Sequence, residues 1–268
     1  MIGNLYTKTL YTINSDFVVT DIYEYDIAKA NISILLSLGY ITEDDYRKYY
    51  NMNKQEREIK IGYLQRNNPQ IKTALEEGFM RARRMLIMKN SIHDEEIIAI
   101  KKDAIYVTRP LSVTKFSYIE FTLRNRYSLM LKTSNPKLEF YFGISDVDGV
   151  PILDVKGVKD EALPLHEGYM LSLLCEIFEM IVREKYKEAI TYLTKVMKDY
   201  LNRRLSIGFY REFNSLSHFR IYPGFYSEFS IDRADDSMRG SLNISYNFNL
   251  LTNIMKLLSE MYLVFKRR

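Results

Sequence analysis

Between residues 97 and 107 the chain reads IIAIKKDAIYV. Two runs of β-branched and aromatic residues, each too short for a helix, flank three charged ones. Such a stretch folds as two antiparallel strands joined by a tight turn, with Lys101, Lys102 and Asp103 at the tip. Two readings of that tip follow. It is a solvated hairpin turn, or it holds the Asp103 carboxylate at a strand end where metal chemistry can use it.

The elements around the hairpin come from the same patterning. NLYTKTLYTI and DFVVTDIYEYDI are rich in Tyr, Thr, Val and Ile and read as strands. AKANISILLSLG, from Ala28 to Gly39, has helical spacing and a glycine stop. The charged stretch from residue 41 to 68 reads as mostly helical, and Pro69 opens a long helix over QIKTALEEGFMRARRMLIMKN. Three or four strands follow the hairpin, in FSYIEFTLRNRYSLML, LEFYFGIS and VPILDVKGV, with Asp148-Gly149 as the turn between the last two segments. From His166 the pattern is helical, giving two helices, a tyrosine-rich irregular stretch over residues 219–241 and a final helix. The expected class is α+β, an antiparallel sheet with helices packed on one face, followed by a helix-rich C-terminal part. The expected division is at residues 1–165 and 166–268.

Composition narrows function by exclusion. With 38 Lys+Arg against 34 Asp+Glu, the net charge of +4 permits a local basic groove without demanding a nucleic-acid partner. The 22 tyrosines and 14 phenylalanines could line a stacking channel. Compositional bias toward Tyr, Ile, Asn and Lys is the preferred explanation of them. A single cysteine, Cys175, lies in an apolar helical run and allows no intramolecular disulfide. His93, His166 and His218 lack ligand spacing, so a structural zinc is not expected. No signal peptide and no apolar run of about 20 residues is visible, so a cytoplasmic, non-membrane protein is expected.

Two carboxylates stand out by position. Asp26 lies where a strand gives way to a helix, and Asp103 lies at the hairpin tip. If their strands are neighbours, both emerge at one sheet edge and offer hard oxygen ligands to divalent cations. Arg57, Lys60, Arg66, Arg81, Arg83 and Arg84 could balance a triphosphate, although the arginine trio also reads as a solvated helix face. Asp146 and Asp148 serve the turn. Asp232, Asp235 and Asp236 form a second acidic run that reads as loop solvation, and the FKRR tail reads as a soluble helix end.

Three ordered stretches resemble the palm of B-family DNA polymerases, in a divergent phage-like form. YDIAKANISIL is similar to the first palm motif, KKDAIYV to the second metal motif, and LEFYFGISDVDGVPILDVKGVKDEALPL to the strands that lead toward the thumb. Residues 20–165 carry the likeness. It implies a palm-like domain over residues 1–165, with a fingers-like helical insertion at about 40–90, and a thumb-like region over 166–268. In this sequence Lys101 replaces the first Asp of the second metal motif, and Asn31 takes the place of the tyrosine that normally excludes ribonucleotides. The lysine- and tyrosine-containing finger motif is missing, and only twenty-five residues precede Asp26, leaving no room for an exonuclease domain.

The resemblance implies roles. Asp26 and Asp103, helped by the Ile27 carbonyl, would bind two Mg²⁺ or Mn²⁺ ions. Asn31, Lys60 and Arg66 would meet the nucleoside triphosphate, and Lys101, Lys102, Lys137 and Lys156 the DNA or primer-template. Nucleotide addition would be in-line attack of a 3′-hydroxyl on an α-phosphate. The alternative is a module of the same shape that binds nucleic acid, or a replication or transcription protein, without chemistry. A third reading is a structural phage protein whose hairpins mimic the motifs.

Overall fold

A computed structural model describes residues 4–134, 138–158, 163–164, 166–210, 213 and 245–267. The chain divides into two compact units that are not contiguous in sequence. The first comprises Met1–Asn14 and Asp21–Arg126, the second Ser15–Thr20 and Tyr127–Arg268. The α+β class expected from the sequence is the class observed, with an antiparallel sheet and a helix-rich C-terminal part.

In the first unit four strands lie in the order β1 (Leu10–Thr12), β3 (Ile97–Lys101), β4 (Ala104–Val107) and β2 (Phe17–Ile27). The Asp21–Ile27 part of β2 belongs to this unit. Every pair is antiparallel. Ile97 to Ile100 and Ala104 to Val107 are all buried. The polar alternation of a half-exposed strand is therefore absent from the hairpin arms, as befits central strands covered on both faces. β5 (Lys115–Phe116) pairs with the start of β6 (Ile119–Lys132). The N-terminal stretch read as one strand is a 3-10 turn at Asn4–Thr7 followed only by the short β1. Its alternating tyrosines and threonines suit a strand, but Thr7 to Thr9 leave the ladder.

Four helices complete this unit. α1 (Ala30–Ser37) is almost wholly buried, through Ile32, Ile34, Leu35 and Leu36. α2 (Glu43–Tyr50) begins at a Thr42–Asp45 capping box, and α3 (Lys54–Asn67) at Asn53, whose side chain accepts the Glu56 N–H. α4 (Gln70–Lys89) follows Pro69 as expected and buries Ile71, Leu75, Ala82, Leu86 and Ile87. It crosses α1 at Gly78, where a Cβ would lie 2.2 Å from Ile34 Cγ2.

In the second unit the Tyr127–Lys132 part of β6 pairs with β7 (Glu139–Ile144), and β7 with β8 (Pro151–Lys156). Gly149, with φ of +70°, makes the β7–β8 turn, and the Asp148 carboxylate accepts the Val150 N–H. Phe140 and Phe142 both pack edge-on against Phe178 of α5 (Ser172–Val182). α6 (Tyr186–Leu201) and α7 (Ser245–Lys266) close this core through Leu193, Leu251 and Leu258. Thus β7 and β8, grouped with the N-terminal part at the sequence level, share a core with the C-terminal helices. Cys175 is half-buried in α5. The tyrosine-rich stretch and its acidic run lie outside the described residues.

Candidate functional site

The ladder between β2 and β4 sets the geometry. Asp26 is the register partner of Ala104, and Lys101 pairs with Ala104 from the other side. Asp103 therefore sits one residue along from the partner of Asp26, at the same end of adjacent strands. The sequence left this neighbourhood conditional on strand order, and that order is met.

The two carboxylates interact. Burial, and next the negative charge of Asp103, push the Asp26 carboxyl from 3.8 up to about 6. Arg124 opposes this, Glu24 adds to it, and the Ile27 N–H, which donates to the carboxylate, opposes it. Asp26 Oδ1 is buried with no hydrogen-bond partner, while Oδ2 lies 4.0 Å from Arg124 Nη1. Glu24, two residues earlier on the same strand face, is engaged: Tyr106 Oη donates to Oε1 at 2.7 Å and Asn125 Nδ2 to Oε2 at 3.1 Å.

Arg83 holds the tip from below. Its side chain is fully buried in α4, a position the RARR run gives no means of separating from its exposed neighbours Arg81 and Arg84. Nη2 donates to the Lys8 carbonyl at 2.7 Å and to the Tyr6 carbonyl at 3.3 Å, and Nη1 donates to the Lys102 carbonyl. Burial lowers its pKa to about 10, and Asp103 acts in the opposite sense. Arg84 instead lies 5.3 Å over the Tyr6 ring.

Beside Asp103 opens a cleft of about 450 Å³ lined by Asn31, Gln65, Lys72, Phe79, Arg83 and Lys102, with Thr9 and Glu76. Asn31 is among the residues that line this cleft. Lys60 and Arg66 do not line the cleft. Both are exposed on α3, and the Arg66 guanidinium lies 5.9 Å over the Tyr63 ring. The cleft is lined instead by Lys72, on the first turns of α4, which carries no distinguishing signal in sequence because it is one lysine on an amphipathic helix. Lys102 is exposed in the left-handed region at φ of +54°, its N–H bound to the Thr9 carbonyl at 2.9 Å. Lys101 turns its Nζ to Thr12 Oγ1 at 2.8 Å. Lys156 belongs to the second unit and pairs with Asp154 at 2.6 Å. Lys137 lies outside the described residues.

A buried carboxylate oxygen without a donor, beside a second carboxylate that repels it, is an arrangement that a hard divalent cation relieves. Asp26 and Asp103 are the side chains that would hold such an ion. No group of three or more His, Cys, Asp or Glu suited to a metal occurs among the described residues, so carbonyl, water or ligand oxygens would complete the shell.

Comparison with protein families finds one whose model, the bacteriophage PBS1 gene 130 protein, matches residues 1–260, and the chain belongs to this family of phage proteins. No curated protein matches it. Among the described residues no helix is long and apolar enough to cross a membrane.

Proposed function

We propose that this phage protein carries out nucleotidyl transfer dependent on a divalent cation, joining the α-phosphate of a nucleoside triphosphate to a primer 3′-hydroxyl on DNA as the α–β phosphoanhydride breaks and pyrophosphate leaves. One observation carries the reading. Asp26 and Asp103 stand at the same end of neighbouring antiparallel strands, with an unpaired buried oxygen on Asp26. The ordered likeness of YDIAKANISIL, KKDAIYV and the strands after them to a B-family polymerase palm supports it.

In this reading Asp26 and Asp103 hold Mg²⁺ or Mn²⁺, with the Ile27 backbone beside them. The bound cation supplies charge neutralisation at a phosphoryl oxygen and lowers the pKa of an attacking hydroxyl. The protein's own part is placement. Lys72 and Lys102 draw the phosphates into the cleft, the Asn31 and Gln65 amides meet the sugar or base, and Leu75 and Phe79 supply an apolar wall. Work in the cytoplasm of an infected host cell follows from such a role in a phage.

A second reading keeps the same cleft for binding nucleic acid, or a replication or transcription protein, without turnover. Lys101 favours it. A cation stands where the palm motif carries a carboxylate, and its Nζ is bonded to Thr12.

Primer extension with Mg²⁺ or Mn²⁺ separates the two. Under the first reading wild-type protein extends a primed template, and Asp26→Ala and Asp103→Ala each lower the rate by about 100-fold or more. Extension indifferent to both substitutions refutes the mechanism. Absence of extension by wild-type protein, with affinity for primed DNA that falls steeply with salt, selects the second reading.

A further inference from the structure

Arg83 is a charged side chain with no exposed surface, yet its hydrogen-bond acceptors are all neutral backbone carbonyls, those of Tyr6, Lys8 and Lys102. A planar guanidinium suits this because its donors point in fixed directions and can reach two chain segments at once. One segment is the N-terminal 3-10 turn with the residue after it, and the other is the hairpin tip. The Lys102 carbonyl is half of the peptide unit that joins Lys102 to Asp103. Fixing that carbonyl fixes the peptide plane, and with it the direction in which Asp103 leaves the turn. Lys102 adopts φ of +54°, which an L-residue with a side chain holds only when its surroundings determine it. The Lys102 N–H bound to Thr9 and the Arg83 bond to the Lys102 carbonyl are those surroundings.

We infer that Arg83 is a positioning residue for the site, clamping the Lys102–Asp103 peptide so that the Asp103 carboxylate is presented beside Asp26. The inference rests on the reading of Asp26 and Asp103 as a divalent-cation site. It assigns to α4 the task of setting the second ligand without touching the ion. Asp26 needs no such clamp, because the β2–β4 ladder already fixes it. Asp103 lies outside the ladder, in a two-residue turn, and has no other strand bond to hold it.

The test is a double-mutant cycle on the full chain, read as Mn²⁺ affinity. It compares wild type, Arg83→Met, Asp103→Asn and the double variant, each checked for a cooperative thermal transition. Arg83→Met is expected to weaken Mn²⁺ binding by about 10–100-fold, the range for residues that orient a ligand. The same change made on Asp103→Asn should add nothing, since the ligand it positions is gone. Equal losses in both backgrounds, or no loss on the wild-type background while Asp103→Asn does weaken binding, overturn the inference. If Arg83→Met has no cooperative transition, Arg83→Lys takes its place in the cycle, because an ammonium keeps the charge but lacks the fork.

Should Asp103→Asn leave Mn²⁺ affinity unchanged, the cation reading of the site fails, and amide exchange of metal-free protein decides the clamp alone. The Lys102 and Asp103 amides are then expected to exchange about tenfold faster in the Arg83 variant, with Ile100 and Ile105 unaffected. Unchanged exchange at the tip overturns the clamp as well.

Discussion

Asp26 is costly to the folded state at neutral pH, and its neighbours say why. Its carboxyl is held at about 6 by burial and by Asp103, with Glu24 adding to the repulsion and Arg124 and the Ile27 N–H only partly offsetting it. The folded chain thus binds this proton more tightly than the unfolded chain does. The cost is absent below about pH 4, grows as the pH rises, and is complete above the folded value near 6. A displacement from 3.8 to about 6 corresponds to at most roughly 3 kcal/mol. Asp26→Asn should therefore stabilise the metal-free protein by up to about 3 kcal/mol at about pH 8, with the gain fading below about pH 4. Urea denaturation across that range measures it, and a gain independent of pH would show that the carboxylate is not the cause. A strand-end carboxylate that destabilises the fold through burial and a neighbouring carboxylate is a candidate functional residue.

Gly78 shows what the helices contribute at the scale of an element. α4 approaches α1 closely enough that a Cβ at residue 78 would meet Ile34, a β-branched residue with no exposed surface, and Leu38 at 3.2 Å. α1 bears Asn31 and starts three residues after Ile27, so its seat on α4 governs one wall of the cleft. Gly78→Ala gains about 1 kcal/mol of helix propensity but forces overpacking that costs about 1–3 kcal/mol. A net loss of about 1–2 kcal/mol in chemical denaturation is expected, and a net gain would show that α1 yields without resistance.

Helices and strands of this kind were readable because periodicity and punctuation agreed. Pro69 opened α4, Asp148-Gly149 made a turn, and the two apolar arms around Lys102 and Asp103 paired. What could not be read was which charged residue a helix buries. Arg81, Arg83 and Arg84 are alike in sequence, and only the carbonyls of Tyr6, Lys8 and Lys102, far away in the chain, distinguish Arg83. Lys60 and Arg66 are expected at a triphosphate from their place in a fingers-like segment, yet on α3 both side chains are exposed and neither lines the cleft.

For the molecule as a whole, two units with separate cores explain why a single cut near residue 165 does not describe it. The residues of β2 and β6 are shared out between both units, so sequence order and structural membership part company. Strand patterning shows that β7 and β8 are strands. It does not show that Phe140 and Phe142 lean on Phe178 of α5. A net charge of +4 over 268 residues gives no strong long-range field, so any attraction for phosphate is local, from Lys72 and Lys102 around the cleft. The proposed cation site therefore depends on the carboxylate pair more than on any surface property. The direct measurement is a Mn²⁺ binding isotherm on wild-type protein, Asp26→Asn and Asp103→Asn at about pH 7.5, above the Asp26 titration. The predicted result is saturable binding to wild-type protein that both substitutions weaken by about tenfold or more. Binding of equal strength in all three would contradict it.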